Sequence, residues 1–247
     1  MGFPEKATAF RALHVKGDPL VLYNIWDAGS AKAVAKSGAK AIATGSWAVA
    51  AAQGYADGEA LPMAASLQVA GAVAAAVDLP VSVDFEGGYA IAPAEVAANT
   101  ALLRETGAVG MNFEDRVVGG EGLHSSADQA ARIAAIRAAV GPEFFINART
   151  DVFFCDDSAP MADLMRDAVT RAVAYRAAGA DGIFVPGLAD VALIAQFCAA
   201  QDLPVNVMRM DKALALVDLA RAGVARISHG PGPYLAAMKA LGAVATV

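Results

Sequence analysis

Two carboxylates, Asp84 and Glu86, stand two residues apart in the segment PVSVDFEGGYA at 80–90. The run before them predicts a strand, and residues i and i+2 of a strand face the same side. Two like charges at this spacing repel each other unless a cation lies between them. Hard divalent cations such as Mg²⁺ and Mn²⁺ prefer carboxylate and water oxygens. The pair therefore indicates a metal site, although two solvated acids at a strand end would show the same pattern.

Short apolar runs alternate with alanine-rich helical stretches along the chain. We predict strands at 20–27, 41–45, 80–85, 109–114, 144–150, 182–186, 204–209 and 224–229, and helices at 28–38, 62–77, 93–106, 126–140, 160–178, 188–201, 211–222 and 232–243. Apolar strands that alternate with helices are typical of a parallel sheet covered by helices. The pattern predicts an α/β fold, a (β/α)₈ TIM-type barrel that forms a single domain over residues 1–247. An open doubly wound sheet is the alternative, but no GxGxxG follows the first strand.

Active sites in such barrels lie at the C-terminal ends of the strands. The polar residues at or near predicted strand ends are Asp27, Thr44, Gly45, Ser46, Asp84, Glu86, Glu114, Asp115, Arg149, Asp151, Asn206 and His229. So many acids at one mouth would repel each other strongly without a metal ion. Arg149 offers a planar fork that suits a substrate carboxylate or phosphonate, or it forms an Arg–Asp pair that braces the mouth.

Other catalytic chemistries have little support in the sequence. All seven lysines lie outside the predicted strands, which disfavours a Schiff-base enzyme. Three histidines are too few for a His-rich zinc site. His14 is predicted to be solvated, and His124, in a glycine-rich loop after the fourth strand, is either an acid or base or simply exposed.

Composition limits the partners and the compartment. The net charge is −6, with acids and bases interspersed, which argues against a nucleic-acid surface. Apolar runs such as 69–77 are shorter than the roughly 20 residues that span a bilayer, and the charged N-terminal segment resembles no signal peptide. Cys155 and Cys198 form no CxxC and are predicted to be reduced. We therefore expect a cytoplasmic protein with neither nucleic-acid nor membrane partners.

Several motifs occur in the order found in a known superfamily. They are YNIWDAGSAKAVAKSGAKAIATGS, GYADGEALP, VDFEGGY, NFED, NARTD and AGADGIFVPG, and they cover most of residues 20–230. Together they resemble the isocitrate lyase and phosphoenolpyruvate mutase superfamily. The resemblance implies a Mg²⁺-dependent barrel, with Mn²⁺ as an alternative ion, that makes or breaks a C–C or P–C bond beside a 2-oxo acid through a pyruvate enolate. It also implies a homo-oligomer, either a dimer or a tetramer.

The resemblance assigns roles to individual residues. Asp84 would bind the metal directly, while Asp57, Glu86 and Glu114 would hold it through waters or support the groups that bind it. The backbone of Gly45, Ser46 and Trp47 would cradle the oxo acid, and Arg149 would grip the substrate carboxylate. Asn206 is a further candidate for substrate binding, and the catalytic candidates are Asp57, Glu114, Arg149 and His124.

The chain also departs from the superfamily pattern. Isocitrate and methylisocitrate lyases carry a Lys-Lys/Arg-Cys-Gly-His loop after the fourth strand, whereas EDRVVGGEGLHSS at 114–126 has no cysteine. Phosphonopyruvate enzymes place a His after the sixth strand, where this chain has Val185, Pro186 and Gly187. Superfamily members continue beyond the last barrel helix into a helix exchanged between subunits. Here 14 residues follow Pro233, and whether such an exchange occurs is left open.

We therefore expect a lyase that acts on a small, oxaloacetate-like 2-oxo acid, and neither an isocitrate nor a methylisocitrate lyase. The alternative within the superfamily is C–P chemistry of the phosphonopyruvate hydrolase or phosphoenolpyruvate mutase type. The alternative from another class is a barrel that binds a metal and a 2-oxo acid without catalysis.

Overall fold

The sheet closes into a barrel. A computed structural model describes residues 1–155, 159–210 and 214–245. Its strands are all parallel: β1 Leu20–Leu22, β2 Asn24–Ile25, β3 Ile42–Thr44, β4 Val81–Asp84, β5 Gly110–Glu114, β6 Phe145–Arg149, β7 Gly182–Phe184, β8 Val205–Met208 and β9 Arg226–Ser228. Strands β1 and β2 are two halves of the predicted first strand, interrupted at Tyr23. Because β1 pairs with β9 and β2 with β3, the structure confirms the (β/α)₈ barrel.

Helices surround the sheet. Within the described residues they are α1 Phe3–Ala12, α2 Ala28–Lys36, α3 Ser46–Ala52, α4 Met63–Ala76, α5 Pro93–Glu105, α6 Ser126–Val140, α7 Val152–Cys155, α8 Met161–Ala177, α9 Val191–Ala199, α10 Leu216–Arg221 and α11 Gly232–Val244. The sequence did not predict α1, α3 or α7. The predicted helix at 211–222 begins at residues outside the described ranges and is represented by the shorter α10. None of the described helices combines the length and the apolarity needed to cross a bilayer.

A single side chain joins the strands on either side of the closure. The amide of Asn24 donates from Nδ2 to the carbonyl of Thr44 at 2.8 Å. Its Oδ1 accepts the backbone N–H groups of His229 and Gly230, both at 2.9 Å. Asn24 therefore connects β2, β3 and the end of β9 where the first strand is interrupted.

The inside of the barrel is unusually polar. Barrels of this type are commonly filled by Val, Ile and Leu. Here the buried inward positions below the mouth include Ser82, Asn112, Asn147, Asn206 and Arg226. Each stands two residues before Asp84, Glu114, Arg149, Met208 or Ser228 and so shares its face of the strand. A polar column therefore lies beneath the C-terminal ends of the strands.

Three polar residues predicted at the mouth have other positions. Asp27 caps α2, because its side chain accepts the N–H of Ser30 at 2.7 Å in a capping box. Asp115 is buried against α8, where it accepts the hydroxyl of Tyr175 at 2.7 Å. His229 stacks on Tyr23, with 4.3 Å between the ring centroids. For these residues the prediction was wrong, because a position next to a strand end does not fix the direction of the side chain.

The prediction that His14 is solvated was also wrong. Helix α1 covers the N-terminal end of the barrel, where Phe10 is fully buried against Phe145. The ring of His14 stacks on Phe145, with 4.2 Å between centroids. Burial, together with the positive charge of Arg226, lowers the pKa of His14 to about 3. The histidine is therefore neutral at neutral pH in the folded protein, and its ring packs against the edge of the core.

We predict that His14 makes the stability of the fold depend on pH. An unfolded histidine has a pKa of about 6.5, so the neutral folded form contributes fully above that pH. The contribution is lost as the pH falls from 6.5 towards the folded pKa of about 3. The difference in unfolding free energy between wild type and His14→Leu, measured with urea at pH 7, 6, 5 and 4, should become smaller as the pH falls. The difference for Phe10→Leu should stay constant, and equal behaviour of the two variants would contradict this account.

Candidate active site

A cavity of about 200 Å³ opens at the C-terminal ends of the strands. It is lined by Asn24, Gly45, Ser46, Trp47, Asp57, Asp84, Asn112, Arg149, Phe154, Phe184, Met208, Ser228, Gly230 and Pro231. Clefts for drug-sized ligands usually measure about 300–1,000 Å³. The volume therefore favours a ligand of few heavy atoms. Six residues predicted for the site line this cavity: Gly45, Ser46, Trp47, Asp57, Asp84 and Arg149.

Asp84 lies at the end of β4 and is held from two sides. Its Oδ2 accepts the backbone N–H of Ser46 at 3.1 Å and the Ser46 hydroxyl at 3.0 Å. Its Oδ1 accepts Nδ2 of Asn112 at 3.2 Å. Each carboxylate oxygen has two lone pairs. Oδ2 accepts two hydrogen bonds and Oδ1 only one, so Oδ1 keeps a lone pair for a cation. The Asp84 carboxylate is thus fixed in orientation at the wall of the cavity.

The first turn of α3 forms another part of the wall. Gly45 is the N-cap of α3, and a Cβ atom at this position would lie 3.2 Å from Cβ of Asn24. Any side chain at position 45 would therefore press against Asn24, the residue that connects β2, β3 and the end of β9. The next two residues, Ser46 and Trp47, also line the cavity. In the first turn of a helix the backbone N–H groups have no intrahelical acceptor. The N–H of Ser46 is already bonded to Asp84.

Negative charges are concentrated around Asp84. Glu86 is buried behind it, and burial together with the charges of Asp57 and Asp84 raises the pKa of Glu86 to about 8, against the effect of a backbone N–H that it accepts from Glu59. Burial, followed by the charge of Asp84, also raises the pKa of Asp57. Both shifts have the sign expected when carboxylates crowd together away from water.

Two hydrogen bonds join the loop of Asp57 and Glu59 to the loop of Glu86 and Tyr89, and we call this pair of bonds the clasp. Glu86 accepts the backbone N–H of Glu59 at 2.7 Å, and Glu59 accepts the backbone N–H of Tyr89 at 2.8 Å. All three residues have positive φ, at 50°, 59° and 57° respectively, and they are the only non-glycine residues in the described ranges that do. Such conformations cost about 1–3 kcal/mol each and persist where surrounding contacts enforce them. The clasp fixes the loop of Asp57 against the loop of Glu86.

Arg149 is both paired and accessible to the cavity. Its Nε and Nη2 donate to the two carboxylate oxygens of Asp151 at 2.6 and 2.8 Å, and its Nη1 lies 2.9 Å from Oε2 of Glu114. Burial alone would lower the pKa of Arg149, but these two acids outweigh it and raise the pKa. A guanidinium has five N–H groups, so three contacts leave two for a ligand.

The arrangement suits a hydrated divalent cation better than an all-protein cage. In the described part of the chain, no three His, Cys, Asp or Glu side chains come close enough to form a metal-binding group. Mg²⁺ keeps several waters and usually binds proteins through one or two carboxylates. Asp84 on the cavity wall, with Asp57 and Glu86 beside it, provides such oxygen donors. A cation there would oppose the burial and the repulsion that together raise the pKa values of Asp57 and Glu86.

The remaining predicted residues lie outside the cavity wall. Glu114 is buried beside Arg149, and burial raises its pKa while Arg149 opposes the rise. Asn206 is buried and exchanges hydrogen bonds with Ser228, which does line the cavity. His124 is half-buried in its loop, where its backbone N–H donates to the carbonyl of Asp115 at 2.8 Å. Arg171 and Asp115 therefore anchor the backbone of His124, and its ring is not part of the wall.

Sequence reasoning missed several residues of the wall. Asn24, Asn112 and Ser228 contribute neutral polar groups, and Phe184, Phe154 and Met208 contribute apolar ones. Neutral amides do not stand out from the charge pattern of a sequence. The alternation of Asn112 with Glu114 along one strand was the available signal, because both must face the same side.

With the barrel and its acidic cavity established, comparison with known proteins defines the class. The phosphoenolpyruvate phosphomutase family model matches residues 10–247, and the chain belongs to this family. It is 37% identical over 232 residues to an uncharacterised protein of Mycobacterium tuberculosis strain CDC 1551 / Oshkosh, covering 94% of this chain and 85% of that protein. It is 31% identical over 172 residues to an oxaloacetate decarboxylase of Pseudomonas savastanoi pv. phaseolicola, covering 66% and 56%.

A solved structure is also closely similar. A Burkholderia cenocepacia J2315 protein provisionally named a phosphonomutase matches with a TM-score of 0.95 and 50% identity, over 98% of each chain. The family and the barrel are thereby shown, and the superfamily expected from the sequence motifs is confirmed.

We predict that the carboxylate of Glu59 keeps the two loops together. In Glu59→Ala the N–H of Tyr89 loses its acceptor, whereas Glu59→Gln retains an oxygen at the same position. Loss of a hydrogen bond of about 1–1.5 kcal/mol corresponds to roughly tenfold faster amide exchange. Hydrogen–deuterium exchange of the peptide around 86–92 should therefore be faster in the Ala variant and near wild type in the Gln variant. Equal exchange in wild type and Glu59→Ala would show that no clasp exists.

Proposed function

We propose that this protein is a Mg²⁺-dependent lyase that cleaves or decarboxylates a small, oxaloacetate-like 2-oxo acid through a pyruvate enolate. The observation that carries the proposal is the pairing, in one small cavity, of an accessible carboxylate, Asp84, with an arginine fork, Arg149, that keeps two N–H groups for a ligand. An anion in this cavity would be attracted on one side by a metal ion bound to Asp84 and on the other side by Arg149. The cavity of about 200 Å³ limits that anion to a short acid.

The residues available for a metal are those of the acidic cluster. Asp84 would bind Mg²⁺, or Mn²⁺, directly, and Asp57, Glu86 and Glu114 would hold its waters. When bound, the ion supplies positive charge beside the oxygen on which the enolate charge develops.

The chain itself would position the substrate and exclude water. Arg149 would bind the carboxylate of the substrate with its two remaining N–H groups. The backbone N–H of Trp47, in the first turn of α3, would face the oxo-acid oxygen. The two hydrogen bonds from Ser46 would keep Asp84 in place. Phe154 and Phe184 provide apolar wall, and the Phe184 ring centroid lies 5.8 Å from Cζ of Arg149. Asp57 lies on the cavity wall, so its carboxyl is the candidate for proton transfer during turnover.

C–P chemistry is the second candidate within the family. The structural similarity to the Burkholderia protein provisionally named a phosphonomutase favours it. Against it stands the segment after β7, where Val185, Pro186 and Gly187 provide no histidine. The similarity to oxaloacetate decarboxylase favours C–C chemistry. A barrel that binds metal and 2-oxo acid without turnover is the alternative from another class.

Assembly and location complete the proposal. Helix α11 has no buried residue in the single chain, and Leu235, Leu241 and Val244 expose their apolar side chains along it. This surface supports a homo-oligomer, either a dimer or a tetramer. Cys155 and Cys198 are free thiols, which agrees with the reducing conditions of the cytoplasm.

A substrate screen tests the reaction. Oxaloacetate, phosphonopyruvate and methylisocitrate should be incubated with the protein, with Mg²⁺ or with EDTA, while pyruvate is measured. We expect pyruvate from oxaloacetate, dependent on Mg²⁺ and absent in Asp84→Ala. Asp84→Ala should remain folded, and its melting temperature in EDTA should be equal or higher, because one like charge is removed. Release of pyruvate from phosphonopyruvate but not from oxaloacetate would favour C–P chemistry. Full activity in Asp84→Ala would contradict the assignment of Asp84 to the active site.

We predict that Arg149 is a substrate clamp as well as a brace. Lysine keeps the charge but cannot bind two oxygens side by side. A lost charge-assisted hydrogen bond of about 1.5–3 kcal/mol corresponds to a decrease in kcat/KM of about tenfold or more in Arg149→Lys. Arg166→Lys, on the exposed surface of α8, makes the same change away from the cavity and should leave kcat/KM unchanged. Unchanged kinetics in Arg149→Lys would assign Arg149 to the structural pairing with Asp151 and Glu114 alone.

A further inference from the structure

One arginine is buried inside the barrel beneath the proposed metal site. Arg226 on β9 is 1% exposed and is among the largest fully buried side chains. Its Nη2 donates to Oδ1 of Asn112 at 3.1 Å. Its Nε and Nη1 have no hydrogen-bond partner among the described residues, and the Phe10 ring centroid lies 5.9 Å from its Cζ. Burial lowers the pKa of Arg226 to about 10, so the side chain remains charged at neutral pH.

A purely structural role does not explain this residue. An isolated charge inside a protein costs several kcal/mol, and replacing buried charged groups by apolar residues of similar volume is often neutral or stabilising. Barrels of this fold are usually filled by aliphatic side chains. An arginine used only to fill this space would therefore be a poor choice. Its contact with Asn112 points to a different role.

The three side chains form a chain of hydrogen bonds with one direction. A guanidinium can only donate, so the atom of Asn112 that faces Arg226 must be the oxygen. The NH₂ group of Asn112 then faces the other way, towards Oδ1 of Asp84 at 3.2 Å. An ionised carboxylate can only accept, so this orientation is the one that Asp84 needs. Asn147 supports it by donating to the same Oδ1 of Asn112 at 2.9 Å.

We propose that Arg226 is a positioning residue of the metal site: it fixes the amide of Asn112, and through it the carboxylate of Asp84. The inference rests on the proposed function, in which Asp84 binds the cation. Partners that orient a metal ligand typically change metal affinity by about 10–100-fold when they are removed. Two hydrogen bonds, through Asn112, separate Arg226 from Asp84, and Arg226 does not line the cavity.

The test measures Mn²⁺ affinity, by EPR of the free ion, in wild type and in Asp84→Ala, Arg226→Met, Asn112→Ala and the double variant of the last two. We expect a dissociation constant about tenfold or more higher in Arg226→Met and a similar loss in Asn112→Ala. The double variant should be no weaker than the weaker single variant, because the two residues act in series. Ser82→Ala removes another buried polar group on the face of Asp84 and should bind Mn²⁺ like wild type.

The outcomes separate the inference from the proposed function. Equal Mn²⁺ binding by wild type and Asp84→Ala would remove the metal site itself. If Mn²⁺ binding is lost in Asp84→Ala but unchanged in Arg226→Met, the metal site stands and the role of Arg226 is overturned. The same holds if the loss of affinity in the double variant equals the product of the losses in the two single variants. A merely structural arginine would lower the melting temperature in EDTA and leave the affinity unchanged, whereas we expect the affinity to fall and the melting temperature to stay or rise.

A second measurement needs no variant of Arg226, so it applies even when Arg226→Met fails to fold. In protein labelled with ¹⁵N-arginine, the Nε–H resonance of Arg226 should shift on Mg²⁺ titration and saturate with the metal-binding curve. In Asn112→Ala the shift should be lost. A resonance that stays in place at saturating Mg²⁺ in the wild type would overturn the inference.

Discussion

Electrostatic repulsion between carboxylates at the mouth of the barrel is the constraint on which the rest of the site depends. Asp57, Asp84 and Glu86 lie together where burial weakens the screening by water, and the pKa values of Asp57 and Glu86 rise accordingly. Such an arrangement is destabilising for the fold by itself. Hydrogen bonds fix two of these groups: Ser46 and Asn112 donate to Asp84, and the backbone N–H of Glu59 donates to Glu86. The strained backbone of Glu59, Glu86 and Tyr89 belongs to the same arrangement.

The positive charges are distributed to match these acids. Arg149 stands beside the cavity and pairs with Glu114 and Asp151. Arg226 lies below and reaches the acids through Asn112. The hydrogen-bond donors to Asp84 are Ser46 and Asn112 and neither arginine, so the carboxylate on the cavity wall stays available to a cation. A site built in this way combines fixed charges of both signs with little room for reorganisation, which is the property that stabilises developing charge in a reaction.

The sequence predicted the barrel from periodic signals, and it predicted six of the fourteen residues that line the cavity from strand-end positions and from the family resemblance. Alternating strands and helices gave the fold, and the spacing of Asp84 and Glu86 gave the acidic site. Three kinds of feature were not predicted. Helix α1 and the burial of His14 depend on packing against the N-terminal end of the barrel, which no local pattern reports. Asp27 and His229 follow strands in sequence, but a capping box and a ring stack turn them away from the mouth. Asn24, Asn112 and Arg226 act through long-range hydrogen bonds that only the closed sheet brings together.

The central claim is that the acidic cavity and a divalent cation together stabilise a pyruvate enolate. The most direct measurement is the exchange of the methyl protons of pyruvate in D₂O, followed by NMR. It requires no knowledge of the leaving group and separates an enzyme from a barrel that only binds. We predict exchange that depends on both the protein and Mg²⁺, that stops on addition of EDTA, and that is absent in Asp84→Ala. A wild-type protein that binds Mg²⁺ and pyruvate yet leaves the methyl protons unexchanged would contradict the claim.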